Sequence, residues 1–303
     1  MIRQRIVRLG KWLWIICVVV TVAYFLHRSW PEVRSGLTSM PTGLVASSVL
    51  LVVMAKLVLA ENARVAARQC GIAMGYGTAL RLYNVSQLGK YIPGSIWQFV
   101  GRAAAYRERG AAFAAIRDSL LIESLWVVAS ALVIGATLVG IRALELLRAA
   151  ASESIFLWLA ALVVVGLLLT AMAFIWKRAL LMRYLRLAWP GPWLLTVQLI
   201  TWVLLGLSFW VLTEAAGMKV DVAYAIGIFA LAFALGFMVP IAPAGLGIRD
   251  GILTLGLLAH GSLQIAVVIT VVARLVYLVA ELGLVGIQEL MIVMRPGRRD
   301  RAL

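Results

Sequence analysis

The sequence predicts an all-α, polytopic integral membrane protein with about eight transmembrane helices, and three observations carry that prediction. The 303-residue chain is 63% hydrophobic and only 14% charged, where soluble domains carry roughly 25% charged residues. Its apolar residues gather into runs close to the ~20 residues that a helix needs to cross a bilayer. Its formal charge of +15 sits in short connections and at the chain ends, with no basic soluble domain to receive nucleic acid. The charge therefore reports topology.

Taken in order, Met1–Leu26 places Arg3, Arg5, Arg8 and Lys11 before an apolar core. It has the outline of a signal peptide but no small-x-small cleavage site, so Trp12–Leu26 is read as a retained first span. Further apolar cores follow at Leu44–Ala60, Leu120–Ile141, Ile155–Ile175, Trp193–Leu212 and Val222–Val239. The interrupted stretch Ile241–His260, counted as a crossing, and the long run Gln264–Met294 complete eight. With the N-terminus in the cytoplasm, the inner segments hold 21 of the 28 Lys and Arg residues, Arg249 among them. That bias follows the positive-inside rule and puts both termini of a multi-pass bacterial inner-membrane protein in the cytoplasm. An even number of crossings then requires Leu88–Val100 to enter and leave from the cytoplasmic side as a re-entrant hairpin. Trp12, Trp193 and Trp210, near predicted span ends, act as interfacial anchors. Glu61–Asp118, mixed apolar and basic, suits helices lying on or dipping into the inner leaflet. Nothing divides residues 1–303 into more than one domain.

Two apolar stretches are broken in the middle. In Lys90-Tyr-Ile-Pro-Gly-Ser-Ile-Trp-Gln-Phe-Val-Gly-Arg102 the break is Pro93-Gly94; in Met238–Asp250 it is Pro240, Pro243, Gly245 and Gly247, leading to Arg249. Proline removes a backbone donor and glycine tolerates almost any backbone angle, so a helix stops or bends there. In lipid such a break survives only against protein or a wet cavity. Ionisable residues inside spans are costly and mark function or pairing. Here they are Lys56, Glu123, Arg274, Glu281 and Glu289. Arg274, Glu281 and Gln288, seven apart, share one face of the last helix, and Ser119, Glu123 and Ser130 share a face of an earlier one. A break, an arginine and a buried glutamate recur in both halves, Arg102 with Glu123 and Arg249 with Glu281. This marks repeat-like halves at about 40–141 and 193–294, with a cavity expected between the breaks.

The bland alternatives are specific. Lys56 can snorkel to the inner interface, Glu289 and Arg274 can belong to structural ion pairs, and His260 beside Gly261 suits an outer turn. Gly71 and Gly75 are a weak small-xxx-small pair. Two cysteines, Cys17 and Cys70, and two histidines, His27 and His260, give no disulfide framework and no metal site. With no phosphate loop, nucleophile elbow or Asp-rich motif, neither an enzyme nor a cofactor is expected.

The Lys90-Tyr-Ile-Pro-Gly-Ser-Ile-Trp run with Gly101-Arg102, and the later Pro-Ala-Gly-Leu-Gly-Ile-Arg-Asp-Gly251, resemble the lysylphosphatidylglycerol synthase transmembrane family, the flippase-like part of the multiple peptide resistance factor. The Arg274 to Glu281 segment is similar to that family's last span. Where the family more often has Pro-Gly-Gly, this chain has Pro243-Ala244-Gly245. The chain ends at Leu303, so the soluble aminoacyl-transfer domain of the full synthase is not expected. The resemblance implies lipid translocation. The expected ligand is a phospholipid or polyprenyl-phosphate-linked lipid, its headgroup held by Lys90, Arg102, Arg249 and Arg274 with Glu123 and Glu281 facing the cavity. A homodimer and lipid- or polysaccharide-synthesis enzymes stay open as partners. The rival expectations are a non-transporting subunit that anchors such an enzyme, and an integral membrane transferase.

Overall fold

The computed structural model describes residues 40–92, 96–150, 189, 191–238, 245 and 247–294, and among these every regular element is helical. The helices are α1 (Thr42–Gln69), α2 (Tyr76–Gln87), α3 (Trp97–Glu108), α4 (Phe113–Ala150), α5 (Gly191–Ala215), α6 (Val222–Phe237), α7 (Ile248–Leu257) and α8 (Leu263–Val293). A 3-10 turn over Leu88–Tyr91 extends α2. The expected spans Trp12–Leu26 and Ile155–Ile175, both termini, and Pro93, Gly94, Pro240 and Pro243 lie outside the described residues.

Among the described residues four helices are long and apolar enough to cross a membrane: α1, α4 as far as Gly140, α5, and α8 as far as Met291, with mean hydropathies from 1.9 to 2.3. They coincide with four of the apolar cores in the sequence. Their outward faces carry exposed Leu50, Met54, Leu121, Val133, Leu195, Leu199 and Leu290. Their inward faces bury Ala55, Ala131, Leu205 and Ala280. Apolar faces of that extent fit hydrocarbon as their solvent.

The seventh apolar stretch departs from expectation. Ile241–His260 is not one crossing helix, because Gly245 and Gly247 adopt φ of +72° and +85°, a left-handed conformation that ends a right-handed helix. Helix α7 starts only at Ile248, with the Asp250 carboxylate accepting from the Gly247 N–H at 3.2 Å. At 10 residues α7 is about 15 Å long, and α6, at 16 residues, about 24 Å. Neither matches the ~30 Å hydrocarbon core. Helices α2 and α3, of 12 residues each, make a second unit of two short helices, joined through residues 93–95. The Gly71–Gly75 pair is not a helix-packing motif: both glycines are exposed in the connection between α1 and α2.

Contacts between helices fix the direction of each element. α1 lies antiparallel to α5: Ser48 and Ser208 hydroxyls are 2.8 Å apart, Trp193 Nε1 donates to Glu61 at 3.4 Å, and Gln69 Nε2 donates to the Trp189 carbonyl at 3.4 Å. The α2–α3 unit stands at the end where α1 finishes. There the Tyr76 hydroxyl donates to the Leu57 carbonyl at 2.8 Å, and Arg81 grips Glu289 of α8 at 2.8 and 2.9 Å. The α6–α7 unit stands at the opposite end. Trp210 Nε1, late in α5, donates to the Val220 carbonyl at 3.0 Å, and the Tyr224 hydroxyl donates to the Gly256 carbonyl at 2.9 Å. His260 sits in the turn at that end, against the Tyr224 ring. The two units approach from opposite ends of the bundle and meet where the Phe99 and Phe237 rings lie edge to face, 6.2 Å apart.

Exchanging α1–α4 with α5–α8 preserves the packing pattern. α6 on α4 has its counterpart in α2 on α8; α6 on α5 in α2 on α1; α8 on α1 in α4 on α5; α7 on α8 in α3 on α4; and α1 on α5 is its own counterpart. Small residues set the closest of these approaches. A Cβ on Gly227 of α6 would stand 2.7 Å from Leu138 Cβ and 2.8 Å from Val139 Cγ2 of α4.

Gly227→Leu is therefore expected to force α6 off α4, costing about 1–3 kcal/mol or more. Gly283→Ala in α8, where an added Cβ meets nothing within 4 Å and alanine favours the helix, should not lower the melting temperature of the purified protein. Equal melting temperatures for the two variants would contradict the close α4–α6 contact.

Candidate functional site

Glu281 is the point on which three elements converge. It lies on the inward face of α8 with Tyr277 one turn before it, and is only 2% exposed. One carboxylate oxygen contacts the ammonium groups of both Lys56, from the middle of α1, and Lys90, from the 3-10 turn. The other oxygen accepts from the Tyr91 hydroxyl at 2.8 Å. Beside this centre the Tyr277 ring faces three cations. Lys56 and Lys90 Nζ are each 4.5 Å from its centroid, and the Arg249 guanidinium carbon is 5.0 Å away. Aromatic faces attract cations most strongly where water is excluded.

A second centre joins Arg102 of α3 to Glu123 of α4. Arg102 is 1% exposed, its Nε donates to Ser86 Oγ at 3.2 Å, and its guanidinium lies 4.8 Å from the Tyr83 ring centroid. Its Nη2 has no hydrogen-bond partner among the described residues. Tyr83 also faces Lys56, at 5.9 Å, and so links the two centres. A third pair holds α7 to α8: both Asp250 oxygens accept from Arg274, at 2.8 and 3.0 Å.

Between the two helix breaks lies a partly open cavity of about 80 Å³, room for several waters. Its polar lining includes Lys90 and Gln98 from the first unit, Arg249 from the second, Glu123 of α4 and Tyr277 of α8. Phe99, Phe233 and Phe237 form an apolar wall. Arg249 lies over the Phe229 and Tyr277 rings and has no ion pair with a described residue.

No protein-family model matches the chain, and no curated protein is significantly similar to it. The site's chemistry must be read from its own residues. Among the described residues Glu281 pairs with Lys56 and Lys90, Glu123 with Arg102, and Asp250, beside Arg249 in the chain, with Arg274. With Lys56, Lys90, Arg102 and Arg249 all protonated, the described residues of the centre carry two more positive than negative charges. Burying unmatched charge costs several kcal/mol per ion, so a centre carrying that charge is complementary to an anion. Among the described residues no group of three or more His, Cys, Asp or Glu forms a metal set.

The sequence-predicted residues divide into those at the cavity and those behind it. Lys90, Arg249, Glu123 and Gly245 line it. Arg102 and Glu281 are buried behind the lining as counter-ions. Arg274 faces Asp250, not Glu281, although the two share a helix face. Lys56 does not snorkel; it is 1% exposed against Glu281. Glu289 makes the ordinary exposed pair expected of it, with Arg81. Gln288 is buried with neither amide atom bonded to a described residue. Sequence reasoning passed over Asp250, Tyr91, Tyr83 and Tyr277. Tyr277, three residues after Arg274 and four before Glu281, was detectable as a member of their helix face.

Glu281→Gln would leave two lysines sharing no carboxylate and is expected to cost about 3–5 kcal/mol. Removing the exposed Arg81–Glu289 pair by Glu289→Gln should cost about 0–1 kcal/mol. Unfolding of the two purified variants in the same detergent measures the difference; equal stabilities would contradict the central place of Glu281.

Proposed function

We propose that the protein translocates a phosphate-bearing lipid across the membrane through the cavity between its two helix breaks. The observation that carries this reading is the surplus of positive charge at a cavity where two short helix pairs meet from opposite ends of the bundle. Inverted repeats that place discontinuous helices around a midplane site are a recurrent plan of secondary transporters. Arg249 offers a planar fork suited to phosphate, and Lys90 a compact charge beside it. The aromatic wall of Phe99, Phe233 and Phe237 suits the apolar body of a lipid. The resemblance to the lysylphosphatidylglycerol synthase transmembrane family, strongest at these two breaks, points the same way.

The corresponding topology has six crossings: α1, α4, α5 and α8, with Trp12–Leu26 and Ile155–Ile175 as the other two. The α2–α3 unit is re-entrant from the cytoplasm and the α6–α7 unit from the outer face. The number of crossings stays even, so both termini remain cytoplasmic. Arg249 leaves the set of cytoplasmic cations and becomes a residue of the site. The sequence contains no nucleotide-binding loop, so the drive is an ion gradient or the lipid's own gradient.

Reconstituted vesicles with a labelled anionic phospholipid in one leaflet test this. The wild type should exchange the label between leaflets faster than protein-free vesicles. Arg249→Gln should lower that rate at least about tenfold, the effect of ~1.4 kcal/mol, with little change in melting temperature. Wild-type exchange no faster than that of protein-free vesicles would refute the proposal.

A further inference from the structure

We infer that the cavity is matched to a dianionic phosphate, a terminal phosphomonoester or a diphosphate, in preference to the monoanionic phosphodiester of common phospholipids. The inference rests on the proposed transport function and narrows its substrate class. It follows from charge and position. Lys90 and Arg249, both at the cavity and both facing the Tyr277 ring, are the cations nearest an incoming ligand. Arg102 is matched by Glu123, and Glu281 matches only one of its two lysines. The charges left over are therefore one shared by Lys56 and Lys90, and one on Arg249.

A phosphodiester brings a single negative charge and leaves one cation unmatched in a low-dielectric site. A phosphomonoester near neutral pH carries about −1.5 to −2 and can satisfy both. Lys90 and Arg249 approach the same ring, so one phosphate or diphosphate group can reach the two together. The acid in the lining, Glu123, is already held by Arg102 and does not repel the ligand as a free carboxylate would. A zwitterionic headgroup, with no net charge, leaves both surplus charges in place.

The test uses the purified full-length protein in detergent, with short-chain phosphatidic acid and short-chain phosphatidylglycerol as probes. Both have the same apolar body and differ in phosphate charge. Phosphatidic acid is expected to bind at least about tenfold more tightly, because the second charge acts at close range in a site of low dielectric. Lys90→Gln and Arg249→Gln each remove one surplus charge and should shrink that preference to about threefold or less. Two variants are used because either alone could fail to fold. Equal affinity for the two lipids, as a neutral Lys90 would produce, overturns the inference and leaves lipid translocation standing. Failure to bind either lipid overturns both. Inorganic phosphate and pyrophosphate form the soluble arm. Binding of either as tightly as phosphatidic acid supports the dianion and transfers the site from a lipid headgroup to a free phosphate.

Discussion

A single buried carboxylate holds the centre of this protein together. Glu281 receives Lys56 from the first long helix, Lys90 and Tyr91 from the first break, and is itself carried by the last long helix. Removed from water, each of these charges would cost far more than ordinary packing returns, so their mutual placement is tightly constrained. The interaction also leaves a remainder. One carboxylate cannot match two ammonium groups, and the adjacent Arg249 adds another charge that lies over aromatic rings and has no ion pair with a described residue. The same contacts that fix α1, α2 and α8 therefore leave the positive charge on which the proposed anion binding rests.

The two halves solve one problem with opposite signs. In the first, the returning helix α3 supplies the cation Arg102 and the following span supplies the acid Glu123. In the second, the returning helix α7 supplies the acid Asp250 and the span supplies the cation Arg274. The partners are 21 and 24 residues apart. Each pair anchors a short helix that has too few turns to cross the membrane and would otherwise be held by packing alone. Small residues do the remaining work, with Gly227 allowing α6 to lie against α4.

Much of this was legible in the sequence. The four long helices appeared as apolar runs, because a helix surrounded by lipid must be apolar over its whole length. The interruption before α7 appeared because proline and glycine break such a run visibly. The seven-residue spacing of Arg274, Glu281 and Gln288 marked a polar face of α8. What the sequence could not supply was pairing. Arg274 and Glu281 look like natural partners on one helix, but the structure gives each a partner from a different element. The length of α7 was also hidden: Ile241–His260 is apolar enough to cross, and among its described residues the left-handed backbone at Gly245 and Gly247 divides it. Lys56 looked close enough to the interface to snorkel, since sequence does not reveal which helix stands opposite.

In the proposed transporter the two units of short helices enter from opposite faces of the membrane. Two single-cysteine variants, Ala112→Cys in the exposed turn between α3 and α4 and Ser262→Cys in the exposed turn between α7 and α8, test it most directly. Both are made with Cys17 and Cys70 replaced by serine. A membrane-impermeant thiol reagent applied to intact cells, or to spheroplasts where an outer membrane blocks it, should label position 262. It should reach position 112 only after permeabilisation. Labelling of both positions from the same side would contradict the opposed arrangement, and with it the account of a cavity shared by two inverted halves.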